Sequence, residues 1–281
     1  MRQWPEIPTV NSRLPECFSS GHLWILEAVV GAPLRFRLRE SGQLAFGDAD
    51  RVYAEPEAMP EQYQHALNHI QSAFDRERLR KAIKQPTEIV FFGTALQYRG
   101  LEYDWEQAPS FVGQEIWSAT DEQFRPPDAT EGIFERLGLE PINPLEKELP
   151  ARDFDPERYG YPQSAWYDGP VAGIVIRDKQ GHRASRPNPA VEIDNTPQTS
   201  ATNADELAAM YGSDSRLSRL LSGYSETTQA IEPNQLFERA FESAVRELHP
   251  RVFAPAGEIE RAAFRSALAA RSGEFLQNNT V

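Results

Sequence analysis

Leu34-Arg-Phe-Arg-Leu-Arg39 alternates apolar residues with arginine without a break. Successive side chains of a strand point to opposite faces, so this period of two sets Leu34, Phe36 and Leu38 against Arg35, Arg37 and Arg39. A helix would scatter the same residues around its circumference. A half-apolar strand needs partners in water, so the chain must build a sheet here. Leu23 to Val30 is a second strand-like run, with Trp24, Leu26 and Ala28 on one side, and Gly31 separates the two runs. Ser41-Gly42 marks a further turn and Leu44-Ala-Phe-Gly47 a third strand. The expected start is therefore antiparallel, strand–turn–strand–turn–strand. Leu23 to Val30 is interrupted by Glu27 and falls far short of the roughly 20 residues that span a membrane.

Pro60 to about Lys84 carries Leu67, Ile70, Phe74, Leu79 and Ile83 at helical spacing, and Pro86 ends the pattern. Glu88 to Phe92 and Phe111 to Trp117 read as strands, and Asp128 as the cap of a helix over 129–137. Residues 139–170, with Pro141, Pro144, Pro150, Pro156, Pro162 and Pro170, read as irregular, and Val171 to Arg177 as a strand. The composition then changes: 186–204 is rich in Pro, Thr, Ser and Asn, and three helical patterns follow at about 204–222, 233–247 and 258–276. Asn203 and Asp205 mark the first of these starts and Pro233 the second. The expected organisation is a β-rich part over 1–190, a linker over 191–203 and a helical part over 204–277, an α+β chain of antiparallel sheets with flanking helices.

Hydrophobic residues are 40% of the 281, enough for a core, and the single cysteine, Cys17, excludes an internal disulfide or a cysteine-built zinc site. Cys17 itself reads as a small buried or half-buried residue. Met1-Arg-Gln-Trp-Pro5 runs into polar sequence rather than a secretory leader, so a cytoplasmic location is expected. The net charge of −13 opposes long-range attraction to nucleic acid or anionic lipid, leaving only a local basic groove to overcome it. The basic side is almost entirely arginine, the lysines being Lys81, Lys84, Lys147 and Lys179. An acidic, lysine-poor surface suits solubility in high salt, which makes a halophilic, archaeal setting an expectation.

Several blocks occur in an informative order: Trp24-Ile-Leu-Glu-Ala-Val-Val-Gly31, Phe46-Gly47, Phe91-Phe-Gly93, Phe111 with Glu115-Ile-Trp117, and Gly173-Ile-Val-Ile-Arg177. This order resembles the ATP-dependent RNA ligases, within the covalent nucleotidyltransferases that include DNA ligases and capping enzymes. Leu101-Glu-Tyr-Asp-Trp105 with Pro109 is similar to a stretch of the small archaeal RNA-ligase-like proteins. The resemblance covers about residues 4–190 and, more weakly, the helical tail. It implies a nucleotidyltransferase (ATP-grasp-like) domain followed by a small helical domain. It also implies a chemistry in which a lysine of a Lys-x-Asp-Gly element attacks the α-phosphate of ATP, and the AMP passes to a 5′-phosphate. Such a lysine must be partly deprotonated, cations must stabilise the transferring phosphoryl group, and carboxylates must hold the divalent cation.

Carried onto this chain, that pattern fails at its chemical positions. The nucleophile falls at Ala28 and the following Asp at Val30. The arginine expected after Phe46-Gly47 falls at Ala49, and the glutamate after Phe91-Phe-Gly93 at Thr94. The glutamate before Gly173 is Ala172, and the phosphate lysine falls at Ser185. Glu27, Gly31, Gly173, Arg177 and Arg183 match and form the residual pocket. Alanine has no nucleophilic atom. None of Lys81, Lys84 or Lys179 is followed by x-Asp-Gly, and His22 or Cys17 as a substitute would still lack the carboxylates.

Other groupings are weaker. His65 and His69 stand four apart on a helical pattern, the spacing of a metal-binding pair, but Ala66 follows the first and no third ligand is evident. Neither a Gly-x-Ser-x-Gly elbow nor a phosphate-binding Gly-x-x-x-x-Gly-Lys occurs, and Asp48/Asp50 and Asp153/Asp155 are ordinary in so acidic a chain. Arg35, Arg37 and Arg39 with Arg51 are a candidate phosphate or RNA contact, or else the solvated face of a sheet. Trp166-Tyr167 before Gly169-Pro170 reads as an exposed cluster or, equally, as a lid or turn that packs. The function expected from all this is an RNA-ligase-like protein without adenylyl transfer, kept as a module binding RNA, phosphate or a protein such as an active paralogue. No catalytic residue, metal or cofactor is expected on that reading. The alternatives are an active ligase with another nucleophile, using ATP and magnesium, and a structural protein without nucleotide binding.

Overall fold

The computed structural model describes residues 1–11, 13–193, 203–222, 233–253 and 259–279. Two compact units divide the chain, one of Met1–Leu96 with Glu102–Glu192, the other of Gln97–Leu101 with Ile193–Val281. The expected linker falls largely on 194–202, outside the described residues.

In the first unit a five-stranded antiparallel sheet has the order β3-β2-β4-β5-β6, comprising β2 (Gly31–Leu38), β3 (Leu44–Gly47), β4 (Ile89–Leu96), β5 (Phe111–Ser118) and β6 (Gln123–Phe124). A four-stranded sheet has the order β7-β1-β8-β9, from β1 (His22–Glu27), β7 (Pro144–Pro150), β8 (Gly173–Asp178) and β9 (Arg183–Pro187). The expected β1–β2 hairpin is thus absent. β1 pairs with β7 and β8, β2 with β3 and β4, so the chain changes sheets between Glu27 and Gly31. A Cβ built on Gly31 would lie 2.4 Å from Ala95 O, which reserves the crossing for glycine.

The period-two run behaves as its pattern requires on the apolar side. Leu34, Phe36 and Leu38 join Phe91, Phe111 and Ile116 in the core, packed against α1 (Gln64–Ala73), α2 (Arg76–Ala82) and α3 (Pro127–Arg136). Phe36 stacks on Phe91 with ring centres 4.9 Å apart and meets the edges of Phe74 and Phe111. A separate core of Leu23, Ile25, Ile174 and Ile176 with Phe18 and Phe154 backs the four-stranded sheet.

Four local expectations need correction. The helix expected over 60–84 is two helices, broken at Phe74-Asp75, where the Asp75 carboxylate accepts from Arg78 N–H at 2.8 Å and caps α2. Asp128 lies in the first turn of α3 and is not its cap, since that helix starts on Pro126-Pro127. Part of the stretch read as irregular is β7, an edge strand whose end residues Pro144 and Pro150 lie opposite Leu26 and His22; an edge strand tolerates proline, and alternation is lost to Lys and Glu. Cys17, expected at least half-buried, is exposed in a short turn beside the buried Phe18.

The second unit is helical: α4 (Ala204–Tyr211), α5 (Asp214–Ser222), α6 (Pro233–Phe253) and α7 (Arg261–Asn279). Asn203 caps α4 by accepting from Glu206 N–H at 2.9 Å. Its core joins Leu207, Leu236, Phe241, Phe264 and Leu268. The Glu247 carboxylate takes a bidentate pair from Arg216 at 3.0 and 3.1 Å and a third bond from Tyr211 OH. Gln97–Leu101, read in sequence as part of a connector, belongs to this unit, with Tyr98 N–H donating to Arg246 O at 2.7 Å. No helix among the described residues is long and apolar enough to cross a membrane.

Candidate functional site

Because core residues take one face of β4 and β5, Phe92, Thr94, Glu115 and Trp117 fall on the other, towards Arg177 and Arg183 of the four-stranded sheet. The two sheets therefore meet through charge. Arg177 is 2% exposed, and its guanidinium donates to Gln114 O at 3.1 Å and Arg125 O at 3.0 Å. One of its nitrogens also lies 2.7 Å from Glu115 Oε2, a charge contact out of line for a hydrogen bond. Arg183 Nε stands 3.2 Å from the other oxygen of Glu115, and its guanidinium covers the Phe124 ring at 4.4 Å. One buried carboxylate thus serves two guanidiniums. Burial pulls the Arg177 pKa down and Glu115 opposes the shift.

Several of the motif positions are covered by the protein's own groups. Glu27, 1% exposed, accepts from Ser164 Oγ at 2.5 Å, Asn143 Nδ2 at 2.8 Å and Ala165 N–H at 3.2 Å. Ala28 N–H donates to Gly173 O at 3.0 Å. Val30 N–H donates to Tyr103 OH at 2.6 Å, and Tyr103 packs edge-on against Trp105 and Tyr167. Tyr167 OH donates to Pro170 O, and burial together with the Glu27 charge pushes the phenol up to about 12. Of the two readings of Trp166-Tyr167 the packed one holds for Trp166, which is 7% exposed, and the 163–170 segment lies over Glu27. Thr94 and Ala172 are buried. A Cβ on Gly173 would lie 2.9 Å from Arg186 O, so close strand approach accounts for this glycine.

A second closure was not anticipated from the sequence. The segment Met1–Val10 runs across the same inter-sheet face. Arg2 O accepts from Arg35 at 2.7 Å, the Arg2 guanidinium lies 4.2 Å over Trp117, and Trp4 meets Phe92 edge-on at 5.4 Å. Further along, Ser185, where the phosphate lysine falls, donates its N–H to Pro8 O and accepts from Val10 N–H. Pro5 and Pro8 gave no strand signal in this stretch, so nothing in its pattern marked it.

The arginine row is split by the fold. Arg35 is 1% exposed and bound to Arg2 O and Arg51 O, which removes it from the expected phosphate contact. Arg37 and Arg39 are half-buried, Arg39 donating to Ala54 O, and only Arg51 is exposed. Ala49 sits at the exposed tip of a turn built by Asp48, whose carboxylate accepts from Asp50 N–H, Arg51 N–H and Tyr53 OH. Burial raises the Asp48 pKa, but these hydrogen bonds and the Arg35 charge outweigh it and hold it below the ordinary carboxylate value. That depression stabilises the fold above the unfolded pKa and is lost as pH falls through the lower folded value. In urea titrations, Asp48→Asn should therefore destabilise at neutral pH, with the gap to the wild type shrinking as the buffer is taken into the acid range.

His65 is buried and His69 half-buried, and no group of three His, Cys, Asp or Glu able to hold a metal ion occurs among the described residues. Arg2, Trp4, Glu6, Phe124 and Arg183 line an open cleft of about 590 Å³ on the inter-sheet face.

No protein-family model matches the chain, and no curated protein does. Solved structures do. The chain is similar to ATP-dependent RNA ligases. An archaeal ATP-dependent RNA ligase shares 15% identity in one form, over 89% of this chain and 64% of that one, with a TM-score of 0.48. Its other form shares 14%, over 99% of this chain and 66% of that one, also at 0.48. A variant of the Naegleria gruberi RNA ligase, with ATP and Mn, shares 12% over 67% of this chain and 58% of that one, at 0.49. The chain thus spans less than two thirds of the length of each.

Proposed function

We propose that this chain is an RNA-ligase-like protein that does not carry out covalent adenylyl transfer and that serves as an RNA- or phosphate-binding module. The carrying observation is the β1–β2 connection. Ala28 stands where the nucleophile falls, and the neighbouring Glu27 carboxylate is taken up by Asn143, Ser164 and Ala165. The side chains present do not fit ATP and a divalent cation in the family's manner. Val30, Thr94 and Ala172 offer no carboxylate, and Ser185 no cation.

What favours an anionic ligand is the surplus of positive charge at Arg177 and Arg183 around one carboxylate, beside a cleft that Arg2 also lines. Guanidiniums suit phosphate oxygens, and aromatic faces nearby suit stacked bases. A short single-stranded RNA should therefore be retarded in a gel-shift titration run at several salt concentrations, with affinity falling steeply as salt rises. RNA that runs unshifted at low salt would defeat the binding half of this reading.

A further inference from the structure

On the opposite face of the five-stranded sheet, α2 and α3 cover β4 and β5 incompletely and leave a cavity of about 310 Å³. That is the lower end of the range in which proteins hold small organic ligands. Its walls are Leu79, Ile83, Ile89 and Ile133, with Phe91 and Ile116 at the base. The other lining residues are Ala82, Ala129 and Leu137, with Arg78, Arg125 and Arg136; no acidic residue lines it. In a chain of net charge −13, three guanidiniums around one apolar hollow run against the prevailing sign.

These arginines are also held in place. Arg78 donates to Arg136 O at 2.7 Å, which ties α2 to α3 across the hollow, and Arg136 Nε donates to Gly132 O at 2.7 Å. Arg78 and Arg125 each meet one carboxylate, Asp75 at 3.6 Å and Asp121 at 2.5 Å, whereas Arg136 makes no ion pair among the described residues. Ile83 and Ile133 are partly buried apolar residues of this lining and would gain burial from a ligand, while an uncharged ligand would leave Arg136 without an anion.

From this combination we infer that the α2–α3 cavity is a binding site for an apolar carboxylic acid of medium chain length. The hydrocarbon lies along Ile83 and Ile133, and the carboxylate meets Arg136 at the rim. The site is separate from the inter-sheet cleft and does not depend on RNA binding.

Calorimetric titration of the full chain with decanoate, below its micelle-forming concentration, tests the site, with decanol as the uncharged control. Saturable one-to-one binding at least tenfold tighter for decanoate than for decanol is expected. Ile133→Trp, which fills the hollow, should abolish binding without lowering the thermal midpoint. Arg136→Gln, on an exposed side chain, should erase the preference for the acid while the hydrocarbon still binds. No saturable binding would overturn the inference, as would equal affinity for acid and alcohol. Binding that survives both substitutions would overturn it too, and would place the ligand elsewhere.

Discussion

Glu115→Gln should lower the stability of the protein by about 3–5 kcal/mol, read as a shifted midpoint in chemical denaturation. The substitution conserves shape, so no cavity contributes. What it removes is the single carboxylate shared by Arg177 and Arg183, whose side chains are 2% and 12% exposed. Two guanidiniums would then remain buried without a carboxylate in contact, only the Asp178 charge still acting on Arg177, and Arg177 Nε, Arg183 Nε and Arg183 Nη2 already lack hydrogen-bond partners. An uncompensated buried charge costs far more than an exposed ion pair contributes. A loss below about 1 kcal/mol, the size of a surface pair, would mean that solvent or another anion screens this cluster. The same experiment repeated with phosphate in the buffer connects stability to function. An anion bound at the cleft should restore part of the loss, by linkage between binding and folding.

The second large effect lies on the other face of the sheet. Phe36→Ala should cost about 3–5 kcal/mol, the range for truncating a buried aromatic side chain. Phe36 is fully buried and touches the rings of Phe46, Phe74, Phe91 and Phe111, which belong to strands and a helix end far apart in sequence. Phe46 and Phe91 are fixed by the two strands flanking β2, Phe111 by β5 and Phe74 by the end of α1, so they cannot close the gap. Phe36→Leu should cost much less, because most of the volume is kept. Equal losses for the two variants would show that ring contacts, rather than the space filled, hold this core.

The same residue shows how far the sequence could be read. Strict alternation along β2 gave the buried face correctly, because the apolar side of a strand has one place to go. It failed for Arg35, since a face opposite a core is exposed only if nothing else covers it, and here Arg2 and Trp4 do. Pairing was harder than placement. Gly31 read as a turn between paired strands, whereas it marks a crossing between sheets, which only the long-range partners Ala95 and Gly173 reveal. The β7 strand escaped notice because an exposed edge needs no hydrophobic period.

At the site, the absence of chemical groups at Ala28, Val30, Thr94, Ala172 and Ser185 was legible one residue at a time. What closes the space was not. Ser164, Tyr103 and the Met1–Val10 segment reach it by tertiary contact, without any local pattern that announces it. The Arg177–Glu115–Arg183 cluster was half legible: both arginines matched the family pattern and Glu115 stood in one of its blocks, but no local pattern showed that the three meet.

The proposed absence of adenylyl transfer is tested most directly by incubating the full chain with ATP labelled at the α-phosphate, with magnesium or manganese, and resolving it on a denaturing gel. The account predicts a protein band without label under every condition, including with Ala28→Lys, because the carboxylates and the phosphate lysine remain missing. A labelled band from the unaltered chain, resistant to denaturation, would mean that another side chain takes AMP covalently and would contradict the account.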